Sequence, residues 1–193
     1  MPQSQTPFQA DSSQVYQPAE DSFLLLETAK QEVRSSDRVL EIGVGSGYVS
    51  SGLLSSCRLL IATDRNPHAA AIAHATGVPV VLTDLAAGLC GPFDLILFNP
   101  PYLPTDPAER IDDWLELALD GGPSGRDIIA RFLQQIPGII SPEGRVLLLI
   151  SSLTEPDEVG NLVRKNGFES CTVAEERVDG GELLMILRLT PCR

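Results

Sequence analysis

The sequence predicts an α/β chain: a mainly parallel, seven-stranded sheet with helices on both faces and an antiparallel pair at its C-terminal end. Three observations predict it. Apolar runs of strand length alternate with segments whose apolar residues recur at helical spacing. The runs Arg38 to Ile42, Leu59 to Asp64 and Phe93 to Phe98 each end at a polar or glycine-rich turn. The last two strands are joined only by a turn at Asp179-Gly180-Gly181, too short for a crossover, so they run antiparallel.

Residues 1–14 are rich in Gln, Ser and Pro and read as a loose tail, with a single domain over 15–193. Phe23, Leu24, Leu26, Ala29 and Val33 place a helix over Asp21 to Val33, with Asp21 or Ser22 near its cap. The strand Arg38 to Ile42 is followed by a helix over Tyr48 to Ser55, the strand Leu59 to Asp64, and an alanine-rich helix over Pro67 to Thr76 opened by Pro67. Strands follow over Val78 to Thr83 and Phe93 to Phe98. The chain closes with a helix over Arg126 to Ile136, a strand over Arg145 to Ile150, a helix over Pro156 to Asn166, and strands over Glu169 to Glu176 and Glu182 to Leu189.

Composition narrows the function classes. The net charge is −12, and only two of the 14 basic residues are lysines, Lys30 and Lys165. Such a surface repels phosphate backbones, so no nucleic-acid partner is expected. Adaptation to a salty cytosol, where surface charge is screened, is a second reading of the same composition. No apolar run reaches membrane-spanning length and no secretory leader precedes the domain, so the reading is cytoplasmic, with no membrane. Cys57, Cys90, Cys171 and Cys192 are scattered without a C-x-x-C pair, and His68 and His74 lie six apart, so neither a metal site nor a disulfide framework is expected.

Glu41-Ile42-Gly43-Val44-Gly45-Ser46-Gly47 lies between the first strand and the next helix. Its glycines let the backbone turn and approach a ligand, and the helix beyond offers free N–H groups. A dinucleotide fingerprint needs glycine at 48, where Tyr48 stands; an acid two residues before Gly43 better suits S-adenosyl-L-methionine. Asp64 ends the second strand at the distance expected of a ribose-binding acid. Asp84 ends the third, where its carboxylate or the Leu85 N–H addresses an adenine edge. Three acids at three successive strand ends argue for one cofactor site.

Asn99-Pro100-Pro101-Tyr102 follows the apolar strand Phe93 to Phe98. Two prolines stiffen the loop and withhold two N–H donors. An acceptor-rich corner remains, suited to a planar –NH2. Two acceptors holding its hydrogens free the nitrogen lone pair to attack a sulfonium methyl, and Tyr102 stacks on the planar group. Asn99, Pro100 and Tyr102 are the candidate catalytic residues, and Asn99, Pro100, Pro101 and Tyr102 the candidate substrate contacts.

Val15 to Leu26, read with Glu41 to Gly47, Thr83-Asp84-Leu85, Phe98 to Tyr102, Gly121-Gly122 and Gly125-Arg126, resembles the archaeal and eukaryotic HemK-like release-factor glutamine methyltransferases over nearly the whole chain. The resemblance implies the class I S-adenosylmethionine-dependent methyltransferase fold, a Rossmann-like three-layer sandwich. It implies N5-methylation of the glutamine in the Gly-Gly-Gln loop of a class I release factor. Cofactor contacts would come from Ser22, Glu41, Gly43, Gly45, Gly47, Asp64, Asp84, Leu85 and Asn99, with Tyr16 and Pro18 over the pocket. It also implies a small zinc-binding activator protein in a heterodimer. Val78-Pro79-Val80-Val81-Leu82, apolar yet carrying a proline, is the candidate edge for that partner. Gln17 departs from the family's usual glutamate, and Asp113 to Asp120 is an unfamiliar stretch at the expected substrate mouth. The acids Asp106, Glu109, Asp112 and Asp113 form a cluster able to draw a basic partner.

Three alternatives stay open at this point. One is an adenine or cytosine amino-methyltransferase acting on nucleic acid, which would need basic residues and a recognition domain. Another is a lysine methyltransferase, which would need a base. The third is a non-catalytic module that keeps the fold.

Overall fold

The computed structural model describes residues 8–105 and 113–192. Among these, one seven-stranded sheet runs in the order β3-β2-β1-β4-β5-β7-β6. β1 (Arg38–Ile42), β2 (Leu59–Asp64) and β4 (Phe93–Phe98) have the bounds the sequence predicts. β3 (Val80–Leu82) is shorter and lies at one edge. β1 to β5 are parallel, and β7 (Leu183–Pro191) runs antiparallel between β5 (Ile140–Ser151) and β6 (Phe168–Arg177). Alternate residues of the central strands feed two cores, because successive side chains leave opposite faces of a sheet. Val39, Leu95, Leu97 and Leu147 pack under α1 (Glu20–Glu32), α2 (Tyr48–Ser51) and α3 (Pro67–Ala75). Leu40, Ile96, Phe98 and Leu148 pack under α5 (Asp127–Gln135) and α6 (Pro156–Lys165).

Four local differences from the sequence reading have physical causes. α2 ends four residues early, at Gly52. There the backbone comes so close to α1 that an added Cβ would lie 2.9 Å from Leu26 Cδ1. β5 begins five residues early because Ile140 pairs with Phe93 before a register shift brings Arg145 opposite Leu95. The N-cap of α1 is Ala19, leaving Asp21 in the first turn with its side chain free for another task. A short helix, α4 (Trp114–Leu117), is capped by Asp113, whose carboxylate accepts from the Glu116 N–H. Asp106, Glu109 and Asp112 of the expected acid cluster lie outside the described residues.

The described part of the 1–14 stretch is tied down. Asp11 N–H donates to His68 Nδ1 at 3.0 Å, Asn66 Nδ2 donates to the Gln14 carbonyl at 2.8 Å, and the Trp114 N–H donates to Gln14 Oε1 at 3.2 Å. No helix of the described residues is long and apolar enough to cross a membrane.

Candidate active site

The loop after β1 turns through three glycines with positive φ: Gly43 at 71°, Gly45 at 52° and Gly47 at 83°. Its shape is held by hydrogen bonds from Val44 N to the Thr63 carbonyl (2.9 Å) and from Gly45 N to Asp64 Oδ2 (3.0 Å). Gly47 faces α3 rather than the cavity. A Cβ there would sit 3.0 Å from the Ala73 Cα, so close packing against α3 requires a glycine at this position, and Gly47, unlike Gly43 and Gly45, is not among the residues lining the cavity.

Asp64 at the end of β2 accepts from Asn66 N through Oδ1 (2.8 Å) and from Gly45 N through Oδ2 (3.0 Å). Each carboxylate oxygen carries two lone pairs, so one on each stays available for a ribose hydroxyl. Burial raises the pKa of Asp64, and the backbone N–H groups oppose that rise. Glu41 is fully enclosed, with the Ser50 hydroxyl bonded to its Oε2. Burial pushes its pKa up to about 8, against the pull of Ser50. Asp84 stands at the lip, ion-paired with Arg131 from α5, and beside it Leu85 takes φ 53°.

β4 delivers Asn99 to the same cavity. Asn99 Nδ2 donates to Asp21 Oδ2 at 2.9 Å, while Asn99 Oδ1 is buried and has no hydrogen-bond partner among the described residues. The prolines carry the chain into Tyr102, whose backbone is hemmed in by a second loop. A Cβ on Gly125 would lie 2.6 Å from the Tyr102 carbonyl oxygen, and one on Gly121 would lie 2.9 Å from its Cα. Only residues without a side chain permit that approach. Burial raises the pKa of Tyr102, reinforced by Glu182 and Asp21; burial followed by Asp21 does the same for Tyr16.

Tyr16, Pro18 and Ser22 line a cavity of about 390 Å³, within the usual range for small-ligand sites. Glu41, Gly43, Gly45, Asp64, Asp84, Leu85, Asn99, Pro100, Pro101 and Tyr102 also line it. The donor set fits S-adenosylmethionine: carboxylates and backbone N–H groups suit a ribose diol and an amino-acid end, and acidic walls suit a cationic sulfur. The sequence reading missed Asp21, Asn66 and Glu182 as site residues; Trp114, from the stretch Asp113 to Asp120 expected at the substrate mouth, lines the cavity too. Asp21 looked like a helix cap, and no local pattern announces Asn66 or Glu182.

No family model matches the chain. A Methanocaldococcus jannaschii protein provisionally named a protein N5-glutamine methyltransferase is 39% identical, with 90% of each chain covered. The human methyltransferase HEMK2 is 38% identical over 92% of this chain and 90% of its own. Among solved structures, the E. cuniculi Mtq2-Trm112 complex, responsible for the methylation of the eRF1 translation termination factor, superposes with a TM-score of 0.77. That match has 25% identity and covers 92% of this chain and 99% of the other.

Proposed function

The chain belongs to the HemK-like protein N5-glutamine methyltransferases, and from that premise we propose that it methylates the glutamine side-chain amide in the Gly-Gly-Gln loop of a class I release factor. It is an S-adenosylmethionine-dependent methyltransferase by family. The observation that carries the substrate reading is Asn99 Oδ1, an enclosed acceptor to which none of the described residues donates. An orphaned buried acceptor costs stability, so a site that keeps one is built to be completed by a donor.

S-adenosylmethionine, when bound, supplies an electrophilic methyl on a cationic sulfur. Gly43, Gly45, Asp64, Asp84, Leu85 and Ser22 would hold it, with Tyr16 and Pro18 above. Asn99 Oδ1 takes one hydrogen of the substrate NH2, and a backbone carbonyl of the proline corner takes the other. Pro100 and Pro101 keep that corner rigid and free of competing N–H donors. Tyr102 packs on the amide plane and sets the approach angle. The nitrogen becomes acidic once it carries the methyl and sheds its proton to water, so positioning supplies the rate rather than a strong base. The weak basicity of the chain and the acids Asp21 and Glu182 at the mouth disfavour a nucleic-acid substrate.

The proposal extends to a partner. β3 is a short edge strand with Leu82 58% exposed, the kind of edge that a second chain covers. The relative solved as a complex supports a second chain as partner; on the family resemblance, the partner proposed here is a small zinc-binding activator pairing with β3, in the cytoplasm.

The test is methyl transfer from radiolabelled cofactor to release factor or to its loop Gln→Ala variant, with and without the small partner. Label on the natural loop alone is expected. Equal label on both overturns the reading.

A further inference from the structure

α1 buries the stripe Asp21, Leu25, Leu26, Thr28 and Ala29, which is the i, i+4, i+5, i+7, i+8 pattern of a core-facing helix. Asp21 is the one acid on that stripe, and it is only 5% exposed. A carboxylate at such a position is costly unless its oxygens are engaged. Oδ1 accepts from the Ser22 N–H at 2.5 Å and from the Ser22 hydroxyl at 3.1 Å. Oδ2 accepts from Asn99 Nδ2 at 2.9 Å, 78 residues away.

We propose that Asp21 is a positioning residue for methyl transfer: its carboxylate fixes the side-chain amide of Asn99 so that Oδ1, and not Nδ2, faces the substrate nitrogen. An asparagine amide is nearly symmetric in shape, and packing alone does not choose between its two orientations. A carboxylate chooses, because it accepts and cannot donate. Turned over, Asn99 would set an oxygen against Asp21 and present an NH2 to the NH2 of the substrate, donor facing donor. The same carboxylate, relayed through one amide, also favours the positive charge that nitrogen gains as the N–C bond forms. The Tyr16 hydroxyl lies in the field of the same Asp21 carboxylate. The inference rests on the glutamine reading only in that the group held is an –NH2.

The experiment is a double-mutant cycle on the chain with its partner present: Asp21→Asn, Asn99→Ala and both together, with single-turnover rates, release-factor KM, cofactor affinity by calorimetry and thermal midpoints. Asp21→Asn is expected to lower the transfer rate roughly 10- to 100-fold, with KM and cofactor affinity nearly unchanged. In the Asn99→Ala background it should change nothing further. Moving the acid, as Asp21→Asn with Asn99→Asp, should recover rate over Asp21→Asn alone, since the amide at 21 then donates to the carboxylate at 99. An undiminished rate in Asp21→Asn overturns the inference. So does an equal loss in both backgrounds, which marks a structural role for α1. A second readout needs no substrate: the ¹⁵N–¹H side-chain resonances of Asn99, assigned by their absence in Asn99→Ala. One Nδ2 proton should lie downfield and move upfield in Asp21→Asn; no movement overturns the inference, whichever acceptor the enzyme methylates.

Discussion

Arg145 and Asp37 meet at the end of the sheet opposite the cavity, Nη2 to Oδ2 at 2.8 Å, with side chains 5% and 4% exposed. Arg145 also donates to the Asp94 carbonyl (3.0 Å) and to Glu32, so it ties β5 to β4, to α1 and to the turn before β1. Removing one partner of a buried pair strands the other. Arg145→Ala should lose about 3–5 kcal/mol in urea unfolding, while cofactor affinity in the folded fraction stays as it was.

Asp64 serves two backbone N–H groups and, in the proposed complex, two ribose hydroxyls. Asp64→Asn keeps the shape but has one acceptor oxygen where the acid has two. Affinity for S-adenosylhomocysteine, read by calorimetry, should fall roughly 10- to 100-fold. The rate at saturating cofactor should fall far less, since Asp64 stands apart from the reacting nitrogen.

Glu41 gives a pH signature with a definite sign. Its pKa is raised from 4.5 to about 8, so the folded protein holds a proton that the unfolded chain has released. Stability is therefore highest below the unfolded value, falls as pH rises through the interval between the two, and is lowest above about 8. Glu41→Gln keeps an oxygen for the Ser50 hydroxyl and removes the proton. The difference in thermal midpoint between variant and natural chain should grow in the variant's favour from about pH 5 to about pH 9; a constant difference would contradict the raised value.

β3 offers a clean test of the partner surface. Pro79 accepts from the Ala62 N–H and Thr83 N–H donates to the Asp64 carbonyl, so alternate residues 79, 81 and 83 bond inward to β2. Val80 and Leu82 then turn their N–H groups to the open edge. Leu82→Pro removes one outward donor and none from the β2 ladder. It should abolish co-purification of the small partner and depress activity of the pair, with cofactor binding by the chain retained.

Local sequence carried most of the sheet. β1, β2 and β4 are apolar runs bounded by turn residues, and their bounds needed no tertiary information. The start of β5 did: Ser141-Pro142-Glu143-Gly144 has the composition of a turn, and only pairing of Ile140 with Phe93 draws it into the strand. The site divides the same way. Asn99, Asp64 and the glycine loop stand where strand ends meet turns, which is visible in one dimension. Asp21 was hidden because an acid near the start of a helix reads as a cap. Its partner lies 78 residues on. The spacing of glycines does not say which neighbours each one meets, and only the fold shows that a Cβ on Gly47 would run into α3.

The anchoring of Gln14 sets an order of assembly. Its carbonyl waits for Asn66 and its side chain for the backbone of Trp114, separations of 52 and 100 residues. In the proposed complex, the segment carrying Tyr16 and Pro18 emerges from the ribosome early, yet the groups that anchor Gln14 beside it come later in the chain. In the proposed complex, a nascent chain stalled before α4 would lack the Trp114 anchor of Gln14 together with β5, β6 and β7, and should hold the donor weakly until synthesis resumes.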